Sequence, residues 1–213
     1  MGEAWQATSS TYDRIAAVYA ERATVTPALR AHLGRFIAAV ASPGMVLDAG
    51  SGPGQLAAVL AQQGLRTLAL DSSHEMLRLA SDSVPVVRGD LRRLPVADES
   101  LAGIWSCASL LHVPRNDVPA TLRSWRAALR PEGVLGLSTA AGADDEEGWE
   151  VVPYADETQP DETPMRRWFV YHSPDRLQAM LEEAGFDVLD LITRESHRTW
   201  LQIIASPSAG RVV

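Results

Sequence analysis

Lysine is absent from the 213 residues, so all 19 basic side chains are arginines. Beside the abundance of alanine, that is the coding habit of a GC-rich, bacterial genome, and no binding role is read from it. Cysteine is nearly absent: Cys107 stands alone in an apolar run, cannot form an internal disulfide, and predicts a reduced, cytoplasmic setting. Positive charge is also short. A formal charge of −8 argues against nucleic acid and other polyanions, which need a basic face, and favours a small-molecule partner. No apolar run approaches the length of a membrane span, and the opening Met1-Gly-Glu-Ala-Trp-Gln lacks the basic and apolar parts of a secretion signal. No compact His/Cys/carboxylate cluster has metal-ligand spacing, so no metal is expected. Nothing marks a self-complementary stripe, which leaves monomer and homodimer both open.

What is present centres on Met45-Val-Leu-Asp-Ala-Gly-Ser-Gly-Pro-Gly-Gln55. A short apolar run, an acid near its end and glycines at 50, 52 and 54 describe a buried strand feeding a tight turn against which a ligand can lie. The spacing is G-x-G-x-G, not the G-x-G-x-x-G of nicotinamide enzymes. Asp48 would repel a pyrophosphate but suits an ammonium group. Asp71 closes the next apolar strand about 20 residues on, the distance at which a carboxylate accepts both hydroxyls of a ribose. Asp90, after Val84-Pro-Val-Val-Arg-Gly, is placed to take an adenine amino group. Together these describe a nucleoside bearing an amino acid and no phosphate, and they disfavour a nicotinamide oxidoreductase.

The runs VLDAGSGPG, LALDSSHEML, VRGDLRRLP, GIWSCASLLHVP and LRPEGVLGLS resemble the class I S-adenosylmethionine-dependent methyltransferases, in particular the small-molecule branch similar to ubiquinone and menaquinone methyltransferases. The resemblance covers roughly Thr11 to Ser206. It implies S-adenosylmethionine as cofactor, S-adenosylhomocysteine as product, and a small-molecule acceptor. By the same resemblance Asp48, Gly50, Ser51, Gly52 and Gly54 line the methionine part. Asp71 holds the ribose, Ser72 and Met76 lie beside the adenosine, Asp90 and Leu91 meet the adenine, and Ala108 and Ser109 lie near the sulfonium. Tyr12-Asp-Arg-Ile-Ala-Ala-Val-Tyr19 looks like the branch's cap, with Tyr12 and Tyr19 on one helical face over the cofactor; plain packing is the alternative for both.

Alternating helical and strand patterns predict a doubly wound α/β fold with a mostly parallel, seven-stranded sheet. A single domain over 1–213 is expected: a helical cap over 11–40 with a break at Pro27, a cofactor-binding core over 45–138, an insertion over 139–172, and a final helix and hairpin over 173–206. Strands are expected at Met45–Ala49, Thr67–Asp71, Val84–Arg88, Leu101–Ser106 and Gly133–Ser138, with helices between them at Gly54–Gln63, at Val118–Leu129 and, capped by Ser72 or Ser73, through Ala80. The last two strands, Phe186–Thr193 and Thr199–Ser206, read as a hairpin, so one strand runs antiparallel. The insertion is too long for an ordinary connection and reads as a lid or a disordered insert. Its aromatic and basic residues Trp149, Tyr154, Arg166, Trp168, Tyr171 and His172 are candidates for the acceptor wall, since aromatic faces bind flat groups and arginine clamps carboxylates. The alternative is that they pack the insertion onto the body.

Methyl transfer from a sulfonium needs positioning and exclusion of water more than acid–base work. Where the acceptor must lose a proton, His112 in Leu110-Leu-His-Val-Pro114 is the candidate base. A histidine bonded to main chain that only shapes the cofactor loop is the competing role, and the more economical one. The expected function is methyl transfer to an oxygen or nitrogen of a small organic acceptor; the alternative is a non-catalytic S-adenosylmethionine sensor or scaffold.

Overall fold

The computed structural model describes residues 2–41, 43–80, 84–142, 146–153 and 164–209. Seven strands form one sheet: β1 (Met45–Ala49), β2 (Arg66–Asp71), β3 (Val86–Arg88), β4 (Leu101–Cys107), β5 (Leu129–Ala140), β8 (Phe186–Glu195) and β9 (Thr199–Pro207), in the order β3-β2-β1-β4-β5-β9-β8. β1 to β5 pair in parallel, and β9 alone runs against both of its neighbours. Two further strands, β6 (Glu147–Val151) and β7 (Arg166–Val170), make a separate antiparallel pair within the insertion. The helices are α1 (Gly2–Arg22), α2 (Pro27–Ala39), α3 (Gln55–Gln62), α4 (His74–Arg78), α5 (Val118–Ala128) and α6 (Pro174–Glu183).

Alternation along the central strands divides the core in two. Leu47, Ile104, Leu135 and Leu137 point to the α5 and α6 side, where Leu122, Trp125, Leu177 and Leu181 meet them. Val46, Trp105, Val134 and Ile204 point the other way, against Leu33 and Phe36 of α2 and Leu60 of α3. Both faces are covered, which is why β1 and β4 read as continuous apolar runs. α2 comes so close that glycine is required beneath it: a Cβ at Gly136 would lie 2.6 Å from the Trp105 ring and 2.7 Å from Phe36.

Several boundaries differ from expectation for local reasons. The N-terminal helix begins at Gly2 instead of Thr11, because Thr8, Thr11 and Tyr12 continue one docked face upstream. The expected turn Arg130-Pro-Glu-Gly133 lies inside β5 as an irregularity, since pairing with β4 already starts at Leu101 opposite Leu129 and resumes at Gly103 opposite Val134. Of the two serines expected to cap α4, Ser73 does so, accepting from the Met76 N–H at 3.1 Å. Among the described residues, no helix is long and apolar enough to cross a membrane.

Gly136→Ala should therefore destabilise the protein by about 2 kcal/mol through overpacking. Urea unfolding followed by circular dichroism would show the lowered midpoint, and an unchanged midpoint would refute the close approach of α2.

Candidate active site

A cavity of about 680 Å³ opens at the carboxyl ends of the parallel strands, the place where an open α/β sheet offers backbone groups and loops to a ligand. Its first wall is the turn after β1. Gly50, Gly52 and Gly54 all have left-handed φ, at 79°, 53° and 75°. At Gly50 a side chain is doubly excluded, since a Cβ would lie 2.2 Å from that of Ser109. The Gly50 and Ser51 N–H groups donate to Leu70 O at 2.8 and 2.9 Å, and the Gly52 N–H donates to Asp71 Oδ2 at 2.8 Å. Asp71 Oδ1 accepts from the Ser73 N–H, also at 2.8 Å. One carboxylate thus joins the glycine turn to the start of α4. Burial pushes its pKa up, and these N–H groups hold it down.

Asp48 differs. It is 2% exposed, and its Oδ2 has no hydrogen-bond partner among the described residues. Burial first and the neighbouring Asp71 charge second raise its pKa to about 7. A buried carboxylate oxygen aimed into a cavity without a donor is costly in the empty protein and suits a cationic ligand.

The far wall follows β4. Ala108 takes a left-handed φ of 54°, a strained conformation for a residue with a side chain, and its N–H donates to Ser138 O at 2.8 Å. Ser109 donates to Ala49 O at 2.7 Å and lies 2.6 Å from Ser106 Oγ, stitching β4 to β1. Cys107 is pushed up to about 12, chiefly by burial, so its thiol stays protonated at neutral pH and is no nucleophile.

α1 roofs the cavity, and polar groups hold it there. Thr8 accepts from the Trp168 N–H at 2.9 Å and Thr11 donates to Arg166 O at 2.7 Å, covering the free edge of β7. Asp13 accepts from Ser73 Oγ at 2.6 Å and from the Glu75 N–H at 3.1 Å. Tyr12 Oη lies 2.8 Å from His112 Nε2, and His112 Nδ1 lies 2.6 Å from Trp168 O. A carbonyl only accepts, so Nδ1 carries the proton, and Nε2 accepts from the tyrosine. Burial, then Arg167 and Arg198, lower the His112 pKa to about 3. The ring is a neutral joint between α1, the 3-10 turn Leu110–His112 and β7.

Of the residues singled out in the sequence, Tyr12, Tyr19, Asp48, Gly50, Ser51, Gly52, Asp71, Ser72, Met76, Leu91, Ala108, Ser109 and His112 line this cavity. Gly54 lies just behind it as the N-cap of α3. Asp90 faces an adjoining pocket of about 470 Å³ instead. There Arg92 grips its carboxylate through Nε at 3.0 Å and Nη2 at 2.7 Å, bridges to Asp117 at 3.0 Å, and lies over the Trp5 ring at 4.9 Å.

Of the aromatic and basic residues of the insertion, Arg167 and Phe169 line the cavity together with Glu150, Val151 and Pro153, while Trp149, Arg166, Trp168, Tyr171 and His172 do not. β7 is a strand, so Arg166 and Trp168 fall on the face opposite Arg167 and Phe169. Trp168 pairs across the hairpin with Trp149, ring centroids 5.3 Å apart. Tyr154 lies outside the described residues. The β8–β9 turn supplies Arg198, a residue that no local sequence pattern marks. Its position was implicit in the topology, because a final hairpin whose first strand is parallel to the rest must turn at the carboxyl ends. Among the described residues no group of three or more His, Cys, Asp or Glu is arranged to hold a metal.

Residues 46–133 match the family described as a methyltransferase domain. Over 187 residues the chain is 30% identical to a malonyl-[acyl-carrier protein] O-methyltransferase of Dechloromonas aromatica, covering 84% of this chain and 65% of that relative's length. Among solved structures, a complex of DhpI with S-adenosylhomocysteine has the same fold, with a TM-score of 0.76 at 24% identity over 98% of both chains. So does the 1,6-didemethyltoxoflavin-N1-methyltransferase of Burkholderia thailandensis, solved with 1,6-didemethyltoxoflavin and S-adenosylhomocysteine, at a TM-score of 0.67 and 21% identity over 86% of this chain and 79% of that one.

The raised pKa of Asp48 has a consequence for stability. Its stabilising contribution is full below its unfolded value near 4 and is lost as pH rises through about 7. Asp48→Asn should therefore be more stable than the parent at pH 8, by up to about 4 kcal/mol, with the difference vanishing near pH 4. Denaturant midpoints at the two pH values would show it; a variant less stable at pH 8 would contradict it.

Proposed function

We propose that the chain is a class I S-adenosylmethionine-dependent methyltransferase that moves a methyl group from that donor to an oxygen or nitrogen of a small organic acceptor. The observation that carries the reading is Asp48: a buried carboxylate with an orphaned oxygen, set over a turn of three left-handed glycines and facing the same cavity as Asp71. That donor set fits an amino-acid nucleoside and would repel a dinucleotide's pyrophosphate. In this reading Asp48 and the turn at Gly50, Ser51 and Gly52 hold the cationic amino-acid end. Asp71 keeps lone pairs for two ribose hydroxyls beyond the N–H groups it already accepts from, and Met76 and Leu91 flank the base. Gly89 and Leu91 meet the adenine edge through their backbone, Asp90 being engaged by Arg92.

When bound, the donor supplies a methyl group already activated by its sulfonium. The chain's own part is position and dryness. Holding an acceptor atom about 3 Å from the methyl carbon accounts for several kcal/mol of the barrier, and α1, closed by Tyr12 on His112, keeps water from the acceptor. With its Nε2 lone pair taken by Tyr12, His112 acts here by fixing that closure, and it serves as a base only when Tyr12 moves away. In this reading the described part of the insertion, β6 and β7 with Glu150, Arg167 and Phe169 on the cavity, forms the acceptor side of the chamber. The Dechloromonas relative is by name an O-methyltransferase, which supports oxygen over nitrogen.

Calorimetric titration with S-adenosylhomocysteine should give saturable binding in the micromolar range, and silence at high micromolar ligand would end the proposal. Gly52→Val should abolish that heat. A Cβ there meets only Tyr19 at 3.9 Å and points into the cavity, while the left-handed φ adds a stability cost of about 1–2 kcal/mol. Tight binding with no transfer to any member of a broad acceptor panel would point instead to a sensor or scaffold.

A further inference from the structure

The acceptor half of the cavity carries a charge unlike that of the molecule. Around Phe169 the wall presents Arg167 and Arg198 with Glu150, and the same cavity is also lined by Arg22, Arg194 and Glu195, in a chain of net charge −8. Two of these guanidinium groups lie over one ring: Arg198 Cζ is 4.5 Å and Arg167 Cζ 5.3 Å from the Phe169 centroid. A phenyl ring already attended by two cations is a poor site for a third, so Phe169 is a poor wall for an ammonium acceptor.

Arg198 is also held in place. Its Nη1 donates to Tyr171 Oη at 2.7 Å and its Nη2 to Glu150 Oε2 at 3.1 Å, while Tyr171 donates in turn to Glu150. A guanidinium fixed at its two terminal nitrogens and stacked on a ring needs little ordering when an anion arrives. Arg167 is held likewise, donating to Tyr12 Oη at 3.1 Å, so the same residue touches both the roof and the acceptor chamber.

We propose that Arg198 and Arg167, both beside Phe169, form an anchor for a carboxylate on the acceptor. The apolar surfaces of Phe169, Leu111 and Trp200 beside them suit a flat or chain-like organic body attached to that carboxylate. Glu150 serves as the positioning residue that holds Arg198 in the wall. The inference deepens the methyl-transfer reading and rests on it, since it assigns the chemistry of the acceptor to the same cavity.

The test uses the full chain saturated with S-adenosylhomocysteine and three matched probes: 3-phenylpropionate, its amide, and 3-phenylpropylamine. Calorimetry should find the acid bound about tenfold more tightly than the amide, the amine weakest, and the acid's advantage reduced by added salt. Arg198→Gln should bring acid and amide to within about threefold while keeping the parent's affinity for S-adenosylhomocysteine, which also reports that the variant is folded. If that variant fails to fold, the acid-to-amide ratio and its salt dependence in the parent decide alone. Equal binding of acid and amide, preference for the amine, or no binding of the acid at about 10 mM would overturn the anchor. Failure to bind S-adenosylhomocysteine at all would instead overturn the methyl-transfer reading.

Discussion

The neutral imidazole of His112 is the joint on which the closed chamber depends. One ring nitrogen donates to Trp168 O in the insertion and the other accepts from Tyr12 in α1; the ring itself follows β4. Three segments distant in sequence meet there on one side chain that is 5% exposed. Deep burial is what makes the joint work. With no water to compete, each hydrogen bond is strong, and the same burial prevents the charged form, which would lose the bond from Tyr12. Phe169 packs edge-on to the ring at 4.9 Å and Tyr12 at 5.3 Å, so the polar joint is sealed by aromatic edges.

The two ends of the cavity solve opposite electrostatic problems with the same economy. At the donor end, carboxylates are buried at the tips of β1 and β2, and the left-handed turn gives one of them backbone donors while leaving the other short. At the acceptor end, arginines are kept from repelling one another by a phenyl ring and by Glu150. The cost of the Asp48 carboxylate and the strain at Ala108 are of the kind found where a site is shaped for something other than folding.

The donor half was largely legible in the sequence. Val46 to Ala49 and Leu68 to Asp71 are short, apolar except for Asp48 and Asp71, and followed by glycines or a helix cap, and such a pattern has few other uses. The insertion was legible only in composition. Trp149, Arg166, Trp168 and Tyr171 were reasonable picks by residue type, but which face of a two-stranded ribbon meets the cavity is a matter of register, and aromatic and basic residues occur on both faces of β7. One step along the chain exchanges Arg166 and Trp168 for Arg167 and Phe169. Asp90 was read correctly as a strand-end acid, yet Arg92, two residues on, folds back to take its carboxylate, a local pairing that strand logic does not see. Arg198 needed the topology before it could be placed at all.

Reversal of β9 is the feature with the widest reach. By returning antiparallel to its neighbours, the chain visits the ligand end of the sheet once more through the three-residue turn 196–198 and then leaves toward the opposite end. The donor half is built from the first strands and the acceptor rim partly from this late turn, so the two are separable by editing: a few residues in one hairpin can be lengthened, shortened or recoloured in charge without touching the glycine turn. Selectivity can drift on that hinge of the topology while the methyl source stays constant.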